Sequence, residues 1–283
     1  MKGGLLLIGG CPRSGTTALV HFLNSNAATH ISAEENLLHK IQVLNKLLGT
    51  RERRAKVYKK NGMRALSVRE TLSADNILAS NFSEEAAWPT IQYLYTLHHN
   101  KIHPDMPLEL WGDKFPNYFK EIDAVLAIPD VRYLHITRNP FDVVNSMLRR
   151  TEMARLGKDW WKAVTDFDAM IETWAEAYRV ILKIEDKPEV MHLYYEELVF
   201  DFVGSVTKIN SFLEADLKFE NILVSDPNKH HDRSFLTTEM HVRVLAHPDV
   251  AAFVARHINT PFVSPALQGK GVIEAKKRLA NAL

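Results

Sequence analysis

Four short stretches of this chain hold residue types that handle anions and protons. The first is Gly9-Gly10-Cys11-Pro12-Arg13-Ser14-Gly15-Thr16-Thr17, directly after the apolar run Leu5 to Ile8. A buried strand, a glycine-rich turn and a helix start, in that order, make a phosphate cradle. Glycines let the backbone approach the anion, and unpaired N–H groups at the positive end of the helix dipole hold it. The spacing nearly fits the nucleotide-binding pattern G-x-x-x-x-G-K-[ST], with Gly10, Gly15 and Thr17 in register. Thr16 stands at the lysine position, and the cation lies inside the loop as Arg13. A lysine that reaches β and γ phosphates is therefore missing, so the loop suits an anion other than a triphosphate. The bland alternative is a packed turn; Arg13 and the paired threonines favour binding.

The other three stretches each pair a strand end with a charge. Thr29 to Ser32 reads as a short strand that ends at Ala33-Glu34-Glu35-Asn36. Carboxylates there lie on the rim where parallel α/β sheets bind ligands, or else simply form an acidic first turn of a helix. Leu108 to Trp111 reads as a third strand running into Gly112-Asp113-Lys114-Phe115-Pro116, which places Lys114 either in the crevice beside the phosphate loop or on a surface turn. Val131 to Thr137 reads as a central strand, and Arg138-Asn139-Pro140 ends it. Pro140 suits the first helical position with Asn139 as N-cap. Arg138 and Ser146 can then pinch one phosphate, and Arg150, four residues after Ser146, shares its helix face.

On these residues the chain resembles the sulfotransferases that use 3′-phosphoadenosine-5′-phosphosulfate (PAPS). Cys11 to Thr17 is similar to that family's 5′-phosphosulfate loop, P-R-S-G-T-T in the branch of tyrosylprotein and carbohydrate sulfotransferases. Arg138 to Ser146 is similar to its 3′-phosphate signature, R-[DN]-P-x-D-x-x-x-S, and the Lys114 segment to its K-x-P. The resemblance implies that Pro12, Arg13, Ser14, Gly15, Thr16, Thr17, Arg138, Ser146 and Arg150 bind PAPS. It implies that Lys114 and Arg13 stabilise the leaving oxygen, together with loop N–H groups of residues 14 to 17. Ala33-Glu34-Glu35 matches a G-E-E segment whose second glutamate is the general base; this points to Glu35, or to Glu34 if the loop differs by one residue. A Y-E-x-L segment after a fifth strand, 190–195, implies Tyr194 or Tyr195 near the 3′-phosphate. The acceptor implied is a hydroxyl, less often an amine, on a sugar, a protein tyrosine, a lipid or a small metabolite, and no metal is required. The competing readings are a phosphotransferase using ATP and Mg²⁺, and a nucleotide-binding protein of the same fold without catalysis.

The elements that must position these residues alternate between strand and helix patterns. They predict an α/β fold: one three-layer, P-loop-like domain over 1–283, with a mostly parallel sheet of about five strands flanked by helices. Residues 36–110 are largely helical in pattern and are assigned to acceptor selection. Trp88, Ile91, Tyr93, Leu94, Tyr95 and Leu97 are read as core, and the basic run Arg51 to Lys60 as a solvated helix face. Asp159 to Asp186 reads as one amphipathic helix. Lys229, Arg233 and Ser234 belong to a late basic loop, and the neighbouring His230-His231 completes no metal-ligand spacing. The chain has 283 residues, 46% of them hydrophobic, and a net charge of +1, which gives no global field toward nucleic acid or an anionic membrane. One cysteine excludes an internal disulfide, and no apolar run approaches the roughly 20 residues of a membrane span. A cytoplasmic enzyme is the expectation.

Overall fold

The computed structural model describes residues 4–40, 84–159, 164–220 and 234–281. The chain runs β1 (Gly4–Gly9), α1 (Thr16–Leu23), β2 (Thr29–Ala33), α2 (Glu84–Ile102), β3 (Leu110–Lys114), a 3₁₀ turn (Pro116–Glu121) and α3 (Ile122–Leu126). It continues through β4 (Val131–Thr137), α4 (Pro140–Arg155), α5 (Phe167–Ile184), β5 (Val190–Tyr194), α6 (Tyr195–Phe200) and α7 (Phe202–Leu213). Three further helices, α8 (Thr238–Ala246), α9 (Pro248–His257) and α10 (Lys270–Asn281), form the tail.

The five strands make one parallel sheet in the order β2-β3-β1-β4-β5. Side chains alternate across a strand, so β1 feeds two apolar layers. Leu5 and Leu7 face one core with Trp111, Tyr133, α4, α5 and the tail helices. Leu6 and Ile8 face the other, with α1, α6 and α7. Helices thus cover both faces, as a parallel sheet requires.

The strand order decides where a ligand can sit. The chain leaves β1 for β2 and β3 on one side, then crosses to β4 and β5 on the other. The crevice at the carboxyl end of β1, between β3 and β4, is the switch point at which such sheets bind ligands. Register puts Ile8 opposite Lys114 and Gly9 opposite His135, so β3 ends beside the start of the phosphate loop and β4 runs two residues past it.

Some boundaries differ from the sequence reading. The third strand spans Leu110–Lys114, so Lys114 ends the strand instead of following it. The helix expected from Asp159 begins at Phe167, where the Asp166 side chain accepts the N–H groups of Asp168 and Ala169. Asn139 and Pro140 start α4 as expected, with Asn139 accepting from the Asp142 N–H. Residues 41–83, which hold the basic run and most of the acceptor-selection segment, lie outside the described residues, as do Lys229, His230, His231 and Arg233. Trp88, Ile91 and Tyr95 pack against the core, whereas Tyr93, Leu94 and Leu97 are exposed, contrary to a wholly inward reading.

Candidate active site

The loop after β1 has the backbone of an anion cradle. Gly10 and Gly15 have φ of 142° and 97°, and Arg13 also lies in the left-handed region at 77°. Gly15 is the N-cap of α1 and supplies no side-chain cap, so the helix start is left to the backbone. A Cβ on Gly15 would come within 2.3 Å of the Tyr195 ring, which packs directly on the loop. The Ser14 N–H donates to Cys11 O at 3.0 Å, so the cradle amides begin after Ser14. Ser14 Oγ is buried without a hydrogen-bond partner among the described residues. Pro12 is half-buried, Thr16 is buried and Thr17 is exposed at the rim.

The end of β3 brings a cation to that rim. Lys114 is 1% exposed, and its Nζ lies 2.8 Å from Glu34 Oε1 and 3.4 Å from Thr17 Oγ1. A buried ammonium therefore links the phosphate loop to a carboxylate at the end of β2. Glu34 is the glutamate in that place. Glu35 turns outward and pairs with Lys40, and both of these side chains are about half exposed. Of the two glutamates the sequence named, Glu34 therefore stands beside Lys114 and Glu35 does not.

The third group gathers at the end of β4 and the start of α4. Arg13 Nε donates to Ser146 Oγ at 3.1 Å, so the loop cation reaches across to α4. Burial lowers the Arg13 pKa, and Arg150 and then Arg138 lower it further, with Asp159 and Glu34 opposing them. Three guanidinium groups, those of Arg13, Arg138 and Arg150, therefore lie within electrostatic reach of one another, Arg138 and Arg150 each also beside an aspartate. Arg138 stacks 4.5 Å from the centre of the Tyr195 ring and lies 3.6 Å from Asp142 Oδ2. Its backbone is held on both sides: Trp174 Nε1 donates to Arg138 O at 2.8 Å, and the Asn139 N–H donates to Glu196 Oε1 at 2.9 Å. Glu196 is fully buried, and burial raises its pKa against the donors from Asn139. The segment after the late basic loop returns here as well, where the Phe235 N–H donates to Asn145 Oδ1 at 3.0 Å, next to Ser146.

Two side chains have partners that the sequence did not name. The Tyr194 hydroxyl lies 3.1 Å from His257 Nε2, and Tyr195, one residue on and starting α6, carries the contact with the Gly15 loop. Arg150 stands on the expected face, but its guanidinium binds Asp159 through both carboxylate oxygens, at 2.7 and 2.9 Å. Sequence reasoning missed Glu196, Asp113 and Asp159. The first two adjoin motif residues, which was the available signal; Asp159 carries none. Among the described residues no group of three or more His, Cys, Asp or Glu could hold a metal ion.

A search of curated protein sequences finds no match. Among solved structures, this chain is similar to a sulfotransferase from Alicyclobacillus acidocaldarius at 16% identity and a TM-score of 0.48, covering 89% of this chain and 94% of that one. It is similar to the sulfotransferase domain from the curacin biosynthetic pathway at 17% identity and a TM-score of 0.44, covering 99% and 98%. It is also similar to a mouse sulfotransferase complexed with PAP at 14% identity and a TM-score of 0.43, covering 91% and 90%. A model of the sulfotransferase family matches residues 6–220, a span that takes in the cradle, the Lys114 strand end and the Arg138–Ser146 helix start. The chain belongs to the sulfotransferase family and is a sulfuryl-transfer enzyme.

Proposed function

We propose that this enzyme transfers the sulfuryl group of PAPS to an acceptor hydroxyl, with Glu34 as general base. The observation that carries this reading is the buried Lys114 ammonium, placed between Glu34 Oε1 and Thr17 Oγ1. A proton acceptor and a positive charge thereby meet at the lip of the anion cradle.

The residues present fit PAPS. The orphaned Ser14 Oγ and the cradle after it suit the 5′ end of the nucleotide. The neighbouring guanidiniums of Arg13 and Arg138, the first bonded to Ser146 Oγ and the second stacked on Tyr195, suit a 3′-phosphate with Arg138 and Ser146 as its ligands. When bound, PAPS supplies a sulfuryl group already activated on a phosphate leaving group. Glu34 Oε1 takes the proton of the acceptor hydroxyl, which makes that oxygen nucleophilic. Lys114 and Arg13 present fixed positive charge where negative charge grows on the departing side, without reorganising. Thr16 at the lysine position of the triphosphate-binding pattern disfavours ATP-dependent phosphotransfer.

The test is a thermal shift followed by transfer. A ligand that binds only the folded form raises the melting temperature, so 3′,5′-adenosine bisphosphate should stabilise the protein and ATP with Mg²⁺ should not. Labelled PAPS should then label a hydroxyl acceptor in a panel of sugars, tyrosyl peptides, lipids and small metabolites. Stabilisation by ATP–Mg²⁺ alone, with phosphate transfer, would overturn the reading.

A further inference from the structure

The turn that carries Glu34 is conformationally expensive. Glu34 has φ of 64° and Asn36 has φ of 47°, both in the left-handed region. Such residues persist only where the surroundings over-determine them. The Glu34 N–H donates to Lys114 O at 2.6 Å, which ties the turn to β3 at one point. The rest of the restraint comes from the residue before Lys114.

Asp113 is fully buried, and its carboxylate accepts on both oxygens. Oδ1 accepts the Glu35 N–H at 3.1 Å and the Ser32 hydroxyl at 2.8 Å. Oδ2 accepts the Tyr118 hydroxyl at 2.7 Å, and the oxygen of Tyr118 accepts the Leu37 N–H at 3.0 Å. One carboxylate therefore grips the turn at both ends, directly at Glu35 and through Tyr118 at Leu37. Ser32 Oγ also lies 2.5 Å from the hydroxyl of Tyr95 on α2. A serine hydroxyl has one proton. With that proton directed at Asp113, Tyr95 is the donor to Ser32, and all these donors run toward the carboxylate. Burial raises the Asp113 pKa, while the donors from Tyr118, Ser32 and the turn backbone favour its charged form.

We propose that Asp113 is the positioning residue for the base: it locks the turn so that Glu34 Oε1 rests on Lys114, and Ser32 with Tyr95 ties helix α2 into the same lock. Lys114 and Asp113 are adjacent on β3 and point to opposite faces. One strand end thus places the cation in the cleft and clamps the turn from behind. The inference rests on reading Glu34 as the base.

The experiment measures kcat with PAPS, and the affinity for 3′,5′-adenosine bisphosphate, in Asp113→Asn, Ser32→Ala, Ser32→Thr and Glu34→Gln. Asparagine keeps the shape of Asp113 but cannot accept on both oxygens. A displacement of about 1 Å in a reacting group can cost about 10²-fold. Asp113→Asn should therefore lose about 10- to 10²-fold in kcat with a much smaller change in bisphosphate affinity, since the cradle after β1 and the Arg138–Ser146 segment stand on other elements. Ser32→Ala should lower kcat, and Ser32→Thr, which keeps the hydroxyl donor, should restore it. A packing role would order the Ser32 pair the other way, because threonine adds a methyl group. This pair also decides the matter if Asp113→Asn fails to fold. Wild-type kcat in Asp113→Asn, or threonine no better than alanine, overturns the inference while an inactive Glu34→Gln leaves the base assignment standing. Full activity in Glu34→Gln overturns the base assignment itself.

Discussion

The sharpest test of the site replaces each of two adjacent glutamates with glutamine. Glu34→Gln keeps the side-chain shape but removes the proton acceptor beside Lys114. Loss of a positioned base lowers turnover by about 10²- to 10⁴-fold, or about 3 to 5 kcal/mol in barrier. The same change leaves Lys114, 1% exposed, without its carboxylate. Removing one partner of a fully buried pair costs about 3–5 kcal/mol. Glu34 is 50% exposed and a glutamine oxygen still accepts from Nζ, so about 1–2 kcal/mol of stability is expected. Glu35→Gln disturbs only an exposed pair with Lys40, worth about 0–1 kcal/mol, and the Glu35 backbone bond to Asp113 stays. Its turnover should match the wild type. The assay is steady-state transfer from labelled PAPS to one acceptor, with bisphosphate affinity measured in parallel. An inactive Glu35→Gln beside an active Glu34→Gln would refute the reasoning.

Three other perturbations probe the nucleotide side and the core. Gly15→Ala places a Cβ 2.3 Å from the Tyr195 ring at a φ of 97°, so it should cost about 1–3 kcal/mol in thermal stability and weaken bisphosphate binding; wild-type behaviour in both would mean that the loop is not packed as described. Arg138→Ala removes a charge-assisted contact worth about 1.5–3 kcal/mol, so calorimetry should show about 10- to 10²-fold weaker binding of 3′,5′-adenosine bisphosphate and little change for 5′-AMP. Equal losses on the two nucleotides would count against 3′-phosphate recognition. Burial lowers the pKa of His135 and His192, and that of His257 from the ordinary 6.5 to about 4. The unfolded chain takes up protons at these histidines at a pH where the folded chain does not. Stability should therefore hold above about pH 7 and fall as pH drops from about 6.5 toward 4, by up to about 1.4 kcal/mol per pH unit for each histidine. Denaturant unfolding across that range checks this, and His257→Gln should flatten the slope; a flat wild-type profile would remove the argument.

How much of this was legible beforehand follows from the range of the interactions. The apolar run Leu5 to Ile8, the glycines of the cradle and the Asn139-Pro140 helix start are local devices, and each formed where its residues predicted. The alternation of strand and helix patterns likewise determined a parallel sheet with helices on both faces. Only the tertiary structure decided which of two neighbours faces the site. Glu34 rather than Glu35 meets Lys114, and Tyr195 rather than Tyr194 meets the loop. The Arg13 bond to Ser146 and the clamp of Asp113 on a turn 78 residues earlier also depend on strand order, which brings β2 and β4 to either side of the β3–β1 pair. The physical reason is angular. One residue of slip turns a side chain by about 180° on a strand and about 100° on a helix, so a motif that names a region leaves the inward residue to the backbone that carries it.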